Sequence, residues 1–259
     1  MIQVDGIDVT EDAFLGGALM MLQPRDGYRA GVDAVLLAAA TPVRHGRGER
    51  VLDAGSGVGV VGLCIAARVP DARVTLVENG PELVALAGLN ITRNALSDRA
   101  QVIAADVTAP GRLLEEVGLR ADCFAHIAAN PPFHVEGNGR PSRNAIKARA
   151  HAMPAGGLTH WVRFAARVTQ AGGSLTIVHR ADAIGELLSL MDGRFGALRL
   201  LPIHPREGAP AVRVLLQGRK GSRAPLTILP GLILHNDDNS FRPNVADILR
   251  HGAPLDLGC

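Results

Sequence analysis

Val51-Leu-Asp-Ala-Gly-Ser-Gly-Val-Gly-Val60 is the stretch that decides the fold. A short apolar run ends at Asp53, glycines occupy positions 55, 57 and 59, and a helical apolar pattern follows. Glycine tolerates positive φ and lets the backbone come close to a ligand, so this reads as a strand, a binding turn and a helix. Strand Arg50–Asp53 and helix Val58–Val69 are predicted. The alternation continues downstream, with strands at Arg73–Val77, Gln101–Ala105, Asp122–Ala129 and Ser174–His179. Helices are predicted from Pro81, over Leu158–Thr169 and over Ala183–Met191. Alternating strands and helices imply a doubly wound, mostly parallel α/β sheet. Strands near Ala197–Ile203 and Val212–Gln217, with Pro205–Pro210 between them, read as a closing antiparallel hairpin.

Residues 1–48 read as an N-terminal hairpin and helix packing on a core of residues 49–220, and residues 221–259 as a short C-terminal extension. A terminal helix is expected near Asn244–Arg250, and Glu136–Ala150 as a long polar loop. At 259 residues the chain is long enough to bury a sizeable core. Its net charge of +2 does not announce a nucleic-acid partner, so local clusters carry that question. Cys64, Cys123 and Cys259 fit neither a zinc spacing nor a disulfide framework, and no metal site is expected. No apolar run approaches the ~18 residues of a membrane span, and the N-terminus lacks an export pattern, so a cytoplasmic protein is expected.

In open α/β sheets ligands bind at the carboxyl ends of the strands. Asp53 with the Gly55–Gly59 turn, Glu78, Asp106 and Asn130 stand at four successive strand ends. Glu78 lies about 20 residues beyond the turn, the spacing at which an acid reaches ribose hydroxyls. Asp53 suits either orienting the turn or holding a ligand amine, and Asp106 suits an adenine amino group. Asn130-Pro131-Pro132-Phe133 ends the fourth of these strands. Two prolines stiffen the segment and remove two N–H donors, leaving main-chain carbonyls and the Asn130 amide oxygen as acceptors. Phe133 supplies a flat apolar face. Acceptors beside an aromatic plate match a planar NH2 group.

Gly57-Val-Gly59-Val-Val-Gly62 satisfies G-x-G-x-x-G literally, so a nicotinamide enzyme must be weighed. In that fingerprint the first glycine follows the strand directly, which is Gly55 here, and the third would then be Val60. Tyr28 is the only tyrosine, and no Tyr-x-x-x-Lys pair is present. Asp-x-Gly-x-Gly-x-Gly, a turn for one nucleoside, fits better.

Val51–Gly59, Glu78, Asp106 and Asn130–Phe133 together resemble the class I S-adenosylmethionine-dependent methyltransferases with an (Asn/Asp)-Pro-Pro-(Phe/Tyr) motif. Gly27-Tyr-Arg-Ala-Gly-Val-Asp-Ala-Val-Leu-Leu-Ala38 is similar to the segment before the cofactor turn in the bacterial tRNA1(Val) adenine-37 N6-methyltransferase family. The likeness spans about residues 12–217. It implies a Rossmann-like seven-stranded sheet and S-adenosyl-L-methionine as cofactor. It also implies methyl transfer to an exocyclic amino nitrogen, adenine N6 in a tRNA anticodon loop. Asn130, Pro131, Pro132 and Phe133 would then be catalytic. Tyr28, Arg29, Asp33, Asp53, Gly55, Gly57, Gly59, Glu78, Asp106 and Asn130 would hold the cofactor. Arg140, Arg143, Lys147, Arg149, Arg219 and Lys220 are candidates for RNA phosphates, with His151 and Arg223 beside them in sequence and Arg25 adding charge at the N-terminus. Asn-Pro-Pro-Phe-His also resembles ribosomal-RNA guanine N2-methyltransferases, and a protein glutamine amide offers the same donors. A non-catalytic RNA- or nucleoside-binding module is the alternative of another class.

Overall fold

The computed structural model describes residues 2–4, 6–26, 29–135, 152–153 and 157–258. The stretch that decides the fold forms strand β4 (Arg50–Ala54), a turn and helix α2 (Val60–Arg68). Before it stand β1 (Ile2–Val4), β2 (Ile7–Phe14), β3 (Leu19–Pro24) and α1 (Val32–Ala40). After it come β5 (Arg73–Glu78), α3 (Pro81–Arg93), β6 (Ala100–Ala104), α4 (Gly111–Glu116) and β7 (Phe124–Ala129). A two-residue pair, β8 (His134–Val135) and β9 (Ala152–Met153), follows. The chain continues with α5 (Gly157–Val168), β10 (Thr169–Arg180), α6 (Ile184–Met191), β11 (Phe195–His204) and β12 (Arg213–Lys220). It closes with β13 (Thr227–Ile228), β14 (Leu232–Ile233) and α7 (Pro243–His251).

The main sheet runs β11-β12-β10-β7-β4-β5-β6, with β13 and β14 both paired to the outer edge of β11. The first seven are the long strands, and the two-residue additions extend the seven-stranded expectation to nine. Only β12 is antiparallel to its neighbours, so the hairpin is where the sequence puts it. β5 and β7 are buried along nearly their whole length, as parallel strands covered on both faces must be. Alternate residues serve opposite cores: Val51 packs with α1 and α2, and Leu52 with α5. Val9, Met21, Val245 and Ile248 share the first of these cores, so both terminal segments are packed on the sheet.

Residues 2–24 form a three-stranded antiparallel sheet rather than a simple hairpin, because β1 adds to β2. Its β3 edge is closed by side chains instead of another strand. Leu22 N–H donates to Asn90 Oδ1 (2.8 Å) and Asn90 Nδ2 donates to the Leu22 carbonyl (3.0 Å). Met20 is held in the same way by Asn94, at 2.9 and 3.0 Å. Four residues of helix rise about 6 Å, close to the roughly 6.6 Å spanned by two strand residues, so the two amides match the strand's repeat. Asn90 Nδ2 also donates to the Val58 carbonyl (3.0 Å), tying this sheet to the glycine turn.

Candidate active site

The carboxyl ends of β4, β5, β6 and β7 open into one cleft of about 250 Å3. Asp53, Gly55, Gly57, Glu78, Asp106 and Asn130–Phe133 all line it, so the strand-end groups converge as the topology rule requires.

The turn is built for close approach. Gly55 adopts φ 61°, and a Cβ there would lie 2.2 Å from the Trp161 ring. Gly62, on α2, lies where a Cβ would come within 2.3 Å of Leu76, so it lets the helix pack tightly on β5. Packing, rather than a dinucleotide fingerprint, accounts for the literal G-x-G-x-x-G. Gly59 does not line the cleft; it begins α2 in a left-handed conformation.

Asp53 is 1% exposed, and its Oδ2 accepts from Gly62 N–H at 2.9 Å. Burial pushes its carboxyl up to about 7, against the Gly62 hydrogen bond, and the negative charge of Glu78 adds to the rise. Glu78 is also buried. Its Oε2 accepts from Gly57 N–H (2.9 Å) and its Oε1 from Asn79 (3.0 Å) and Gly80 N–H (2.8 Å). It therefore braces the turn and the start of α3 together. Asp106 is exposed, and its Oδ1 accepts from the Thr108 backbone (2.8 Å) and hydroxyl (2.7 Å).

On the far wall, Phe133 meets His179 edge to face, with centroids 5.1 Å apart and planes at 83°. The Arg213 guanidinium lies 4.7 Å from the ring centroid. Burial holds His179 below the usual imidazole range; the nearby Pro132 carbonyl favours the protonated ring but makes no well-formed hydrogen bond with it.

Several expected residues go elsewhere. Arg29 pairs with Asp12 at 2.6 Å and bonds Thr10, and Asp33 pairs with Arg213 at 3.0 Å, so neither lines the cleft. Each is satisfied by an opposite charge brought close by the fold. Arg219 and Lys220 sit at the amino end of the sheet, opposite Asn130. Arg219 is in register with Ser174, and Lys220 donates to Asp122 and Thr169, both at 2.7 Å. Tyr28, Arg140, Arg143, Lys147, Arg149 and His151 lie outside the described residues. Gln23 and Trp161 line the cleft without having been expected. Gln23 interrupts the apolar β3 run and accepts from Ala30 N–H at 2.8 Å. Trp161 reads in sequence as one more apolar position on an amphipathic helix. Among the described residues no group of three His, Cys, Asp or Glu could hold a metal, and no helix is long and apolar enough to cross a membrane.

A doubly wound sheet carrying a glycine turn, three strand-end acids and an Asn-Pro-Pro-Phe segment in one cleft defines a methyltransferase. The methyltransferase small domain family model matches residues 31–203, and the chain belongs to that family, as an S-adenosylmethionine-dependent methyltransferase. A tRNA1(Val) (adenine(37)-N6)-methyltransferase of Tolumonas auensis is 29% identical over 226 residues, covering 85% of this chain and 88% of the relative. Its counterpart from Aeromonas hydrophila is 30% identical over 201 residues, covering 76% and 79%. The structure of a predicted O-methyltransferase from Agrobacterium tumefaciens superposes with a TM-score of 0.74 at 32% identity, covering 88% of this chain and all of that one.

Proposed function

We propose that the protein transfers a methyl group from S-adenosyl-L-methionine to N6 of an adenine in a tRNA anticodon loop. The observation that carries this is the shared cleft, in which the Asn130–Phe133 segment faces the glycine turn and its acids. The tRNA1(Val) relatives support the choice of RNA. In this reading residues 49–220 are the catalytic core, residues 1–48 and 221–259 are additions to it, and the protein works in the cytoplasm.

The cleft fits the cofactor. No atom stands within 4 Å of a Cβ placed at Gly57, so a ligand can rest on the backbone there. Asp53 gives a buried acidic floor for an ammonium group. Glu78 accepts from three N–H groups, fewer than the roughly four bonds a carboxylate can take, leaving capacity for a ribose hydroxyl. Asp106 takes the adenine amino group at the third strand end. When bound, S-adenosylmethionine supplies an electrophilic methyl on its sulfonium.

Nitrogen of an aromatic amine is a poor nucleophile because its lone pair is delocalised into the ring. The Asn130 amide oxygen and the Pro131 carbonyl accept its two N–H bonds, favour a more tetrahedral nitrogen and aim the lone pair at the methyl. As the methyl leaves the sulfonium for nitrogen, the surplus N–H proton departs past these acceptors to solvent. Alignment of this kind does much of the catalysis. Phe133 stacks on the base, worth about 1–3 kcal/mol for such contacts. An anticodon loop offers an unpaired base at little cost.

The test incubates total tRNA and rRNA from a deletion strain with labelled S-adenosylmethionine and either wild-type protein or Asn130→Ala. Label in N6-methyladenosine of tRNA, lost in the variant while cofactor affinity persists, is the expected result. Label in N2-methylguanosine, in protein or on a hydroxyl would replace the proposed acceptor. Cofactor binding without any transfer would point to a binding module.

A further inference from the structure

We propose that Arg213, held by Asp33, is a positioning residue that sets the plane of Phe133 and leaves the ring's other face for the acceptor base. The inference rests on the reading of the cleft given above. Phe133 belongs to a loop leaving β7, so nothing in its own secondary structure orients the ring. Three other elements supply that orientation. Arg213 opens β12, and its Cζ lies 4.7 Å from the ring centroid. The guanidinium is anchored twice, by Nε donating to Asp33 Oδ2 and by Nη1 donating to the Val212 carbonyl, both at 3.0 Å. Asp33 stands in the first turn of α1. His179, near the end of β10, meets the ring nearly at right angles, with centroids 5.1 Å apart. The register pairing His179 with Val214 and Arg180 with Arg213 brings the two strand ends to this point.

The arrangement has a chemical consequence. A planar cation on one face of a phenyl ring draws electron density away from the other, which favours stacking by an electron-rich aminopurine. Because Asp33 neutralises the cation, the cluster adds little net charge beside the sulfonium site. Lysine would keep the charge but lose both the flat stack and the fork that allows two anchors. Asp33 thus serves the acceptor side of the cleft, where the sequence suggested a place beside the cofactor.

The test is a double-mutant cycle on Arg213→Lys, Phe133→Leu and the pair, together with Asp33→Asn, using whichever planar amino acceptor the wild type methylates. Arg213→Lys should raise the acceptor KM about three- to ten-fold, leave S-adenosylmethionine affinity unchanged, and have no further effect once Phe133 is Leu. Effects that simply multiply, or a loss of cofactor affinity in Asp33→Asn with the acceptor KM unchanged, would overturn the proposal. A second readout does not depend on turnover. In protein carrying 4-fluorophenylalanine, the resonance lost in Phe133→Leu should shift and broaden in Arg213→Lys and Asp33→Asn. An unchanged resonance overturns the proposal, whereas a wild type that methylates nothing overturns only the reading of the cleft.

Discussion

The indole of Trp161 occupies the space beside Gly55 that any larger residue would need, its Cη2 lying 2.2 Å from where a Cβ would stand. Helix α5 and the glycine turn are therefore packed to contact across the cleft. Gly55→Ala should cost about 1–3 kcal/mol through overpacking, with added strain from the positive φ. It should also weaken S-adenosylmethionine binding. Gly57→Ala meets no neighbour and should cost only about 1–2 kcal/mol of backbone strain. Thermal unfolding and calorimetry compare the two; equal effects would refute the packing argument.

Trp161 is the only tryptophan in the chain and lines the cleft, so its fluorescence should report ligand entry directly. Titration with S-adenosylmethionine should change its emission saturably. The same titration on Asn130→Ala should still saturate with only a modest shift in midpoint, because the side chain's main task is at the acceptor nitrogen.

Asp53 links the floor of the cleft to pH. Its folded carboxyl is raised to about 7, so it favours the folded state fully below the ordinary carboxylate range and loses that contribution as pH rises from about 4 to 7. Asp53→Asn keeps an acceptor for the Gly62 N–H and should be more stable than wild type at pH 8, by a few kcal/mol at most. Urea unfolding at pH 5 and pH 8 decides it, and a variant no more stable at pH 8 contradicts the assignment. The same residue predicts a binding effect. A ligand ammonium requires the charged carboxylate, so wild-type affinity for S-adenosylmethionine should tighten from pH 6 to pH 8.

His126 and His179 act with the opposite sign. Burial depresses both imidazoles, so their neutral forms belong to the folded state. Their contribution is complete above about pH 6.5, the ordinary value, and is lost as pH falls below it. This opposes the Asp53 effect over part of the same window. His179→Gln should flatten the acid side of the stability curve near pH 5–6, measured by thermal unfolding; an unaltered slope would assign the acid sensitivity elsewhere.

Asn90 is fully buried and fastens β3 to α3 and to the glycine turn. Asn90→Ala strands a buried backbone N–H and two carbonyls, at about 1–3 kcal/mol for each group left unsatisfied. Amide exchange should speed up most in residues 19–24, with a smaller rise at the turn. Uniform acceleration across the chain would contradict a local clasp.

Much of the fold was legible because its signals are short-range. The apolar runs of β4, β5 and β7, the turn glycines and the prolines of the Asn130–Phe133 segment depend on neighbours within a few residues, and parallel pairing then collects the strand ends on one side. β1 and α4 were not read, since a three-residue edge strand and a six-residue helix carry too little periodicity to stand out.

Partnerships across the chain were not legible. Asp33 and Arg29 look like cofactor ligands in a line of text, yet each meets an opposite charge: Asp33 the distant Arg213, and Arg29 the Asp12 of β2. Lys220 looks like a phosphate contact, yet the antiparallel run of β12 carries it away from the cleft to Asp122. Gln23 and Trp161 become cleft residues only once β3 and α5 have packed against the sheet. Local pattern thus named the strands, the turn and the chemistry at the strand ends. Long-range packing chose the partners of Asp33, Arg29 and Lys220, because a charge settles with whatever counter-charge the folded chain sets beside it.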